Sequence, residues 1–368
     1  MSSHKTVLVT GGTGLLGNAV LAELLENDPS LHLVVLVRDP AKWLIHERAL
    51  PGSAGRMTHL ESDLCAEGLG LKSRERKLIS REVSAIIHLA ADTTFSRPLE
   101  EARAVNTEGT RRLLELAQEC APGIRMAYVS TAFVAGRRTG VISEDAGSGR
   151  AGWVNAYEQS KYEAELLVRA SATDWVIMRP STIICDDLSG RISQLNAVHR
   201  GLRLYREGLA AMMPGGEESR LDAITTEYAS AAIARLAFGA ESSRRTLHLC
   251  AGKGAIPLPE MLDLTFARWA ADSAWRRRKI ARPVLANLPT YALFEQTIEA
   301  TADVSLKRVT RILSHFVPHL GLPKYFDTSV ADRLLGFSAP PVAGYWAAMV
   351  ERLTTVNWNV PSAAPCSP

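Results

Sequence analysis

The sequence predicts an α/β fold, a doubly wound parallel sheet followed by a smaller, mostly helical region. Three observations predict it. Short β-branched runs alternate with longer helical patterns through the first half. A glycine cluster follows the first strand directly. Past Arg179-Pro180 the alternation weakens. Strands are expected at Thr6–Thr10, His32–Val37, Met57–Glu61, Ala85–Leu89, Arg125–Ser130 and Trp175–Met178, with a further one at Thr246–Cys250. Between them, apolar residues at three- and four-residue steps predict helices over Leu15–Glu26, roughly Lys72–Arg81, Pro98–Glu119 and Ala156–Ala170. Right-handed crossovers then place the loop after each strand along one rim.

A helix over Ile192–Glu207 precedes the Pro214-Gly215-Gly216 turn, and prolines at 257, 259, 283, 289, 318 and 323 punctuate the helical remainder. The expected organisation is a sheet domain over residues 1–181, with 222–250 returning to it. A second region comprises 182–221 and 251–355, and 356–368, rich in small residues and proline, is expected to be a tail.

Composition narrows the function classes. A chain of 368 residues, 46% hydrophobic and 22% charged, buries a substantial core without staples. Its 42 basic and 39 acidic residues nearly cancel, and the formal +3 makes no case for nucleic acid. The five cysteines (Cys65, Cys120, Cys185, Cys250, Cys366) are scattered and never in Cys-x-x-Cys spacing, so neither a disulfide framework nor a metal site is expected. A reducing, cytoplasmic setting follows. MSSHKTVLVTGG runs straight into strand and loop without the pattern of a secretory signal. No window approaches about 18 consecutive apolar residues, so no membrane span is expected. Oligomeric state has no signature in the chain.

The loop Gly11-Gly12-Thr13-Gly14-Leu15-Leu16-Gly17 lies between a strand and an amphipathic helix. Gly11, Gly14 and Gly17 permit a tight turn, close approach of backbone to a diphosphate and close helix-to-strand packing, the Rossmann-type arrangement. The diphosphate would meet Thr13, Leu15 and Leu16 at a helix N-terminus, whose unpaired N–H groups favour an anion. The second strand ends in Arg38-Asp39. An acidic residue there accepts from a free ribose 2′-hydroxyl, whereas an arginine pairs with a 2′-phosphate; Arg38 comes first and favours NADP(H) over NAD(H). The other reading leaves Arg38 solvated and Asp39 capping the next helix. Asp63, past the third strand, is placed to meet the adenine edge or to form its own turn. Ala90 and Ala91 are small enough for a cofactor to lie against the backbone.

Tyr157 and Lys161 stand four residues apart on one expected helix, phenol and ammonium on one face. The ammonium is expected to stabilise phenolate and ease proton exchange with a substrate oxygen, and Lys161 can also hold ribose hydroxyls. Thr131, at the end of the fifth strand, can donate to a substrate carbonyl, with Ser130 the weaker candidate. His88, inside an apolar strand, reads as a packed core residue.

Together these segments, from Lys5 to Leu249, resemble the extended and atypical short-chain dehydrogenases/reductases. The matching residues are Gly11, Gly14, Gly17, Asp63, His88-Leu-Ala-Ala, Asn106-Thr-Glu-Gly-Thr110, Ser130-Thr131, Tyr157, Lys161 and Arg179-Pro180. The resemblance implies a Thr131, Tyr157 and Lys161 active site beneath a nicotinamide, Leu64 and Pro180 beside the cofactor, and Asn106 as structural support. Within that group the phrases Val37-Arg38, Leu69-Gly70-Leu71, His88 to Phe95, Ala156 to Glu165 and Met213-Pro214-Gly215 resemble the thioester reductase and fatty acyl-CoA reductase (male sterility-like) branch. This implies an acyl group held as a thioester on coenzyme A or an acyl carrier protein, reduced to an aldehyde and, with a second hydride, to an alcohol. Thr226-Glu227-Tyr228 departs from the branch, where an aspartate usually precedes the helix.

Rival readings remain at this stage. A nucleotide-sugar epimerase or dehydratase shares the cofactor end, but Ser219-Arg220-Leu221-Asp222 breaks its usual Arg-Asp pair. A ketone or alcohol dehydrogenase, of hydroxysteroid or 3-hydroxyacyl type, would use Thr131, Tyr157 and Lys161 equally well. Trp275 to Lys279 can face an acidic carrier protein or simply solvent. Tyr291 to Phe294 and Leu313 to Leu320 can line an acyl tunnel or be ordinary core.

Overall fold

Every residue of β1 (Thr6–Thr10) is buried, as a strand covered on both faces requires. A computed structural model describes residues 5–144, 149–301 and 317–356, with positions 304, 307, 310 and 314 between the last two. After β1 come α1 (Leu15–Asn27), β2 (His32–Val37), α2 (Pro40–Ala49), β3 (Met57–Glu61), α3 (Ser73–Glu82) and β4 (Val83–His88). Then follow α4 (Leu99–Asn106), α5 (Glu108–Gln118), β5 (Arg125–Val129), the short β6 (Gly140–Ile142), α6 (Ala156–Ala170) and β7 (Asp174–Pro180).

The expected helix over 98–119 is two helices. They meet at Thr107, whose φ of −90° and ψ of −57° depart from the straight helix. The neighbouring side chains explain the break: Thr107 donates to Ser160 O at 3.0 Å, and the Asn106 amide clasps the backbone of Asp92. Local apolar periodicity carries no trace of those distant partners.

Past β7 the chain forms β8 (Thr182–Cys185), α7 (Ala197–Glu207), β9 (Met212–Pro214), β10 (Arg220–Leu221), β11 (Ala223–Thr225), α8 (Thr226–Leu236) and β12 (Arg245–Leu249). The main sheet has seven strands in the order β12-β7-β5-β4-β1-β2-β3, all pairs parallel. This is the doubly wound order, with the direction of winding reversing between β1 and β4. Helix α7 starts at Ala197 rather than Ile192, because the Asn196 side chain accepts from Val198 N while His199 Nδ1 accepts from Asn196 N. At Thr226-Glu227-Tyr228, Thr225 supplies the cap: its hydroxyl accepts from Tyr228 N at 3.1 Å.

Two apolar cores cover the faces of the sheet, and a third lies in the second region around Ile184, Leu202, Tyr205, Leu258, Trp269 and Trp346. Pairing of β8 with β11 joins this region to the sheet domain. Helix Ser329–Leu335, expected with the second region, instead packs Ala331 and Leu335 into the sheet core, with Ala339 just beyond it. Glu144 holds it there: the buried carboxylate accepts from Val330 N, Ala331 N and, on β12, His248 N. Arg276 to Lys279 is exposed around a buried Trp275, whose indole donates to Arg206 O. Tyr291 is packed in a small core with Ala286 and Val317. Among the described residues no helix is long and apolar enough to cross a membrane, and none of their His, Cys, Asp and Glu side chains group as a metal site. Residues 357–368 of the expected tail lie outside the described residues.

Candidate active site

The cofactor corner is built at the reversal between β1 and β4. Gly11 has a φ of +77°, and a Cβ there would stand 2.6 Å from Ala90 N. A Cβ on Gly17 would stand 2.1 Å from Gly11 O, so neither position admits a side chain. Gly14 caps α1 without a side chain, and the first turn holds no acidic residue. First-turn N–H groups therefore remain available, Thr13 is exposed, and Leu15 and Leu16 are half-buried. A cradle of this shape and polarity fits a dinucleotide diphosphate.

Arg38 is exposed just past β2. Asp39 accepts from Lys42 N at 3.0 Å and caps α2, so its carboxylate is engaged by the protein itself. Asp63 is also exposed, and its Oδ1 accepts from Cys65 N at 2.8 Å, closing its own turn. Leu64 packs beside Gly109, Ala90 and Ala91 are half-buried at the end of β4, and Pro180 is buried at the end of β7.

His88 forms the middle of a closed relay. Ala90 N donates to the Thr10 hydroxyl, Thr10 donates to His88 Nδ1, His88 Nε2 donates to Thr110, and Thr110 donates to Asn106 O. Burial, with Lys161 acting the same way, pushes the imidazole down to about 3, so it stays neutral and ties the loop after β4 to α5. Asn106 ties that loop to α6 as well, donating to Ser160 Oγ at 3.0 Å.

Thr131, Tyr157 and Lys161 are all buried where β5 meets the start of α6. Asn155 positions the helix, its side chain accepting from Glu158 N at 3.0 Å. The Thr131 oxygen accepts from Phe133 N, which leaves its proton for another acceptor. Lys161 Nζ donates to Val129 O at 2.8 Å and lies 4.3 Å from the centre of the Tyr128 ring.

Electrostatics here differ from the sequence expectation. Burial pushes Tyr157 up to about 12, with the Thr131 hydroxyl pulling the other way. Burial likewise pushes Lys161 down to about 7, against the opposing charge of Glu165. Desolvation, with the charges of Glu158 and Asp92 acting the same way, outweighs the Thr131 hydroxyl, so the phenol is held in the protonated form, the form that donates to an oxyanion. Glu165 itself is buried in a two-pronged pair with Arg179, at 2.8 and 2.6 Å, which fastens α6 to β7 below the site.

Several side chains at the site had no role assigned from sequence. The Phe95 ring stacks on Tyr157 at 5.5 Å, and Phe133 lies 4.4 Å from the His319 ring. His319 Nε2 stands 3.2 Å from Glu158 Oε1. Phe133 and His319 edge a cleft of about 1090 Å³, its open mouth included, with Val198, Leu202, Met213 and Met261 among its apolar walls. Lys324 and Asp222 also line it. Leu320 lies on the same wall, and part of the expected Leu313 to Leu320 stretch falls outside the described residues. Phe95 was legible only inside a longer matching phrase; His319 and Lys324 carry no local signal.

A doubly wound sheet with a side-chain-free glycine turn after its first strand and a Tyr-x-x-x-Lys helix after its fifth defines the extended short-chain dehydrogenase/reductase class. Within that class the chain belongs to the male sterility protein family, whose model matches residues 9–233. A fatty acyl-CoA reductase of Drosophila melanogaster is 29% identical over 145 residues, 35% of this chain and 28% of that protein. Equisetin synthetase of Fusarium heterosporum is 30% identical over 169 residues, 46% of this chain and 4% of that one. The chain spans half or less of the length of the curated relatives it matches. Among solved structures, the terminal R domain from the myxalamid PKS-NRPS biosynthetic pathway superposes with a TM-score of 0.78 at 26% identity, covering 96% of this chain and 92% of that one.

Proposed function

We propose that this chain reduces an acyl thioester, carried on coenzyme A or a carrier protein, to an aldehyde with NADPH. One observation carries the reading: a large apolar cleft is edged by Phe133 and His319, which pack against Phe95, the ring stacked on Tyr157. It has the size and polarity for an acyl chain, and the relatives include acyl-CoA reductases and terminal reductase domains. Arg38, exposed just past β2, is the residue for a 2′-phosphate in this reading; the Asp39 cap of α2 is common to it and to the one that leaves Arg38 solvated.

When bound, NADPH supplies the hydride and both of its electrons. As the thioester carbonyl carbon gains that hydride, its oxygen becomes an oxyanion, which Tyr157 protonates while Thr131 donates a hydrogen bond. The product of this step is a neutral hemithioacetal. Its C–S bond then breaks, the hydroxyl proton passes to sulfur, and thiol and aldehyde leave. Lys161 orients the ribose next to Tyr157, and Asn106 holds the loop carrying Ala90 and Ala91 against α6. The four free cysteines among the described residues accord with a reducing, cytoplasmic setting.

The test follows NADPH absorbance with panels of acyl-CoA, acyl-pantetheine, ketone and nucleotide-sugar substrates. Thioester-dependent oxidation that falls by about 10²- to 10⁴-fold in Tyr157→Phe, with NADPH affinity kept, is the expected result. Turnover of ketones or nucleotide sugars alone would refute the reading.

A further inference from the structure

The acyl cleft is not apolar throughout. Lys324, at the start of the strand Lys324–Phe326 that pairs with β6, lies on its wall. Its Nζ is buried and has no hydrogen-bond partner among the described residues. His319, on the adjoining helix Val317–Gly321, edges the same corner 3.2 Å from Glu158 Oε1. We infer that Lys324, flanked by His319 and Glu158, is a polar subsite for a hydroxyl or keto oxygen on the acyl chain of the substrate, separate from the thioester carbonyl held at Thr131 and Tyr157.

A buried ammonium without a hydrogen-bond acceptor is a costly feature, and a plain hydrocarbon chain would leave it unsatisfied. An oxygen on the chain satisfies it. A free carboxylate fits less well, because it would bring a second carboxyl beside Glu158 into a corner whose burial already disfavours the charged form. Burial pushes Lys324 down to about 8, with Arg138 acting the same way and Glu158 the other, so the donor keeps its proton at neutral pH. The cleft would thereby select oxygenated over fully reduced acyl chains, since a site built to hydrogen-bond a substrate oxygen discriminates against the analogue lacking it.

The inference rests on thioester reduction, and its test separates the two. Acyl-pantetheine thioesters of one chain length, unsubstituted or bearing a hydroxyl or keto group at successive carbons, or a terminal carboxylate, are compared by kcat/KM. The wild type is expected to prefer one hydroxy or keto series by at least about tenfold, and Lys324→Met to bring that ratio close to one. Calorimetric binding of the matching non-reducible N-acyl pantetheine amides reads the same ratio without turnover. Equal use of all chains by the wild type sinks the subsite and leaves thioester reduction standing, as does a uniform loss for every chain in Lys324→Met, which would put the thiol arm at Lys324. Preference for the terminal carboxylate also overturns it. Absence of any thioester turnover defeats the functional reading, and the amide ratio then judges the subsite alone. Melting curves of Lys324→Met check that the variant is folded.

Discussion

Tyr157, Glu158 and Lys161 lie within little more than one turn of α6, and burial moves each toward its neutral form. For Tyr157 that form is the donor a reductase needs. For Glu158 the consequence is a pH-dependent stability. Its carboxyl is raised from 4.5 to about 7 by burial, so between those values the folded protein holds a proton that the unfolded chain has released. The associated stability is present below 4.5 and is lost as pH rises through about 7. His319, pushed down to about 3, is neutral across that window, and Lys324, near 8, stays charged. Glu158→Gln cannot titrate, so urea unfolding should show a smaller loss of stability between these pH values than in the wild type. Parallel profiles for the two proteins would contradict it. The sequence expects Tyr157, Lys161 and Thr131 at one rim, but the protonation preferences of Tyr157 and Lys161 follow from burial, to which the Phe95 ring stacked on Tyr157 contributes.

At the scale of elements, the strands at 6–10, 32–37 and 57–61 and the helix at 156–170 coincide with the expected bounds. They were legible because each is a run of one periodicity bounded by a glycine, a proline or a capping residue. The split at Thr107 and the late start of α7 were not, since both depend on side-chain hydrogen bonds rather than on pattern. The corner between β2 and α2 bears on the cofactor. Asp39 caps α2 and Arg38 is exposed beside it, the position from which the proposed pairing with a 2′-phosphate would be made. Arg38→Ala is expected to raise KM for NADPH by about ten- to a hundredfold while leaving KM for NADH nearly unchanged, read by initial rates with each cofactor. An equal rise for both would remove Arg38 from cofactor selection.

Over the whole molecule, the second region places Val198 and Leu202 of α7, and His319 and Lys324, along the cleft that Phe133 edges. The buried Glu165–Arg179 pair fastens α6 to β7 in the sheet domain, and removing one member of such a pair typically costs about 3–5 kcal/mol. Cleft length should set the acyl chain. Val198→Trp fills part of the channel, so kcat/KM for a long-chain thioester should fall at least about tenfold relative to a short-chain one. Chain-length profiles that remain superimposable would show that the acyl group lies elsewhere.

What the sequence determined by itself is the sheet domain and its two signatures, the glycine cradle and the tyrosine-lysine helix. Both are local: a turn that excludes Cβ atoms, and a four-residue spacing on one helix face. Only the tertiary structure decided which hydroxyls and carboxyls are already engaged, that His88 is a structural link, and that Lys324 and His319 join the cleft. The His88 link and the cleft corner depend on contacts between residues far apart in the chain, 78 residues for His88 with Thr10, and on the removal of water from charged groups. Neither contact nor desolvation has a period along the chain.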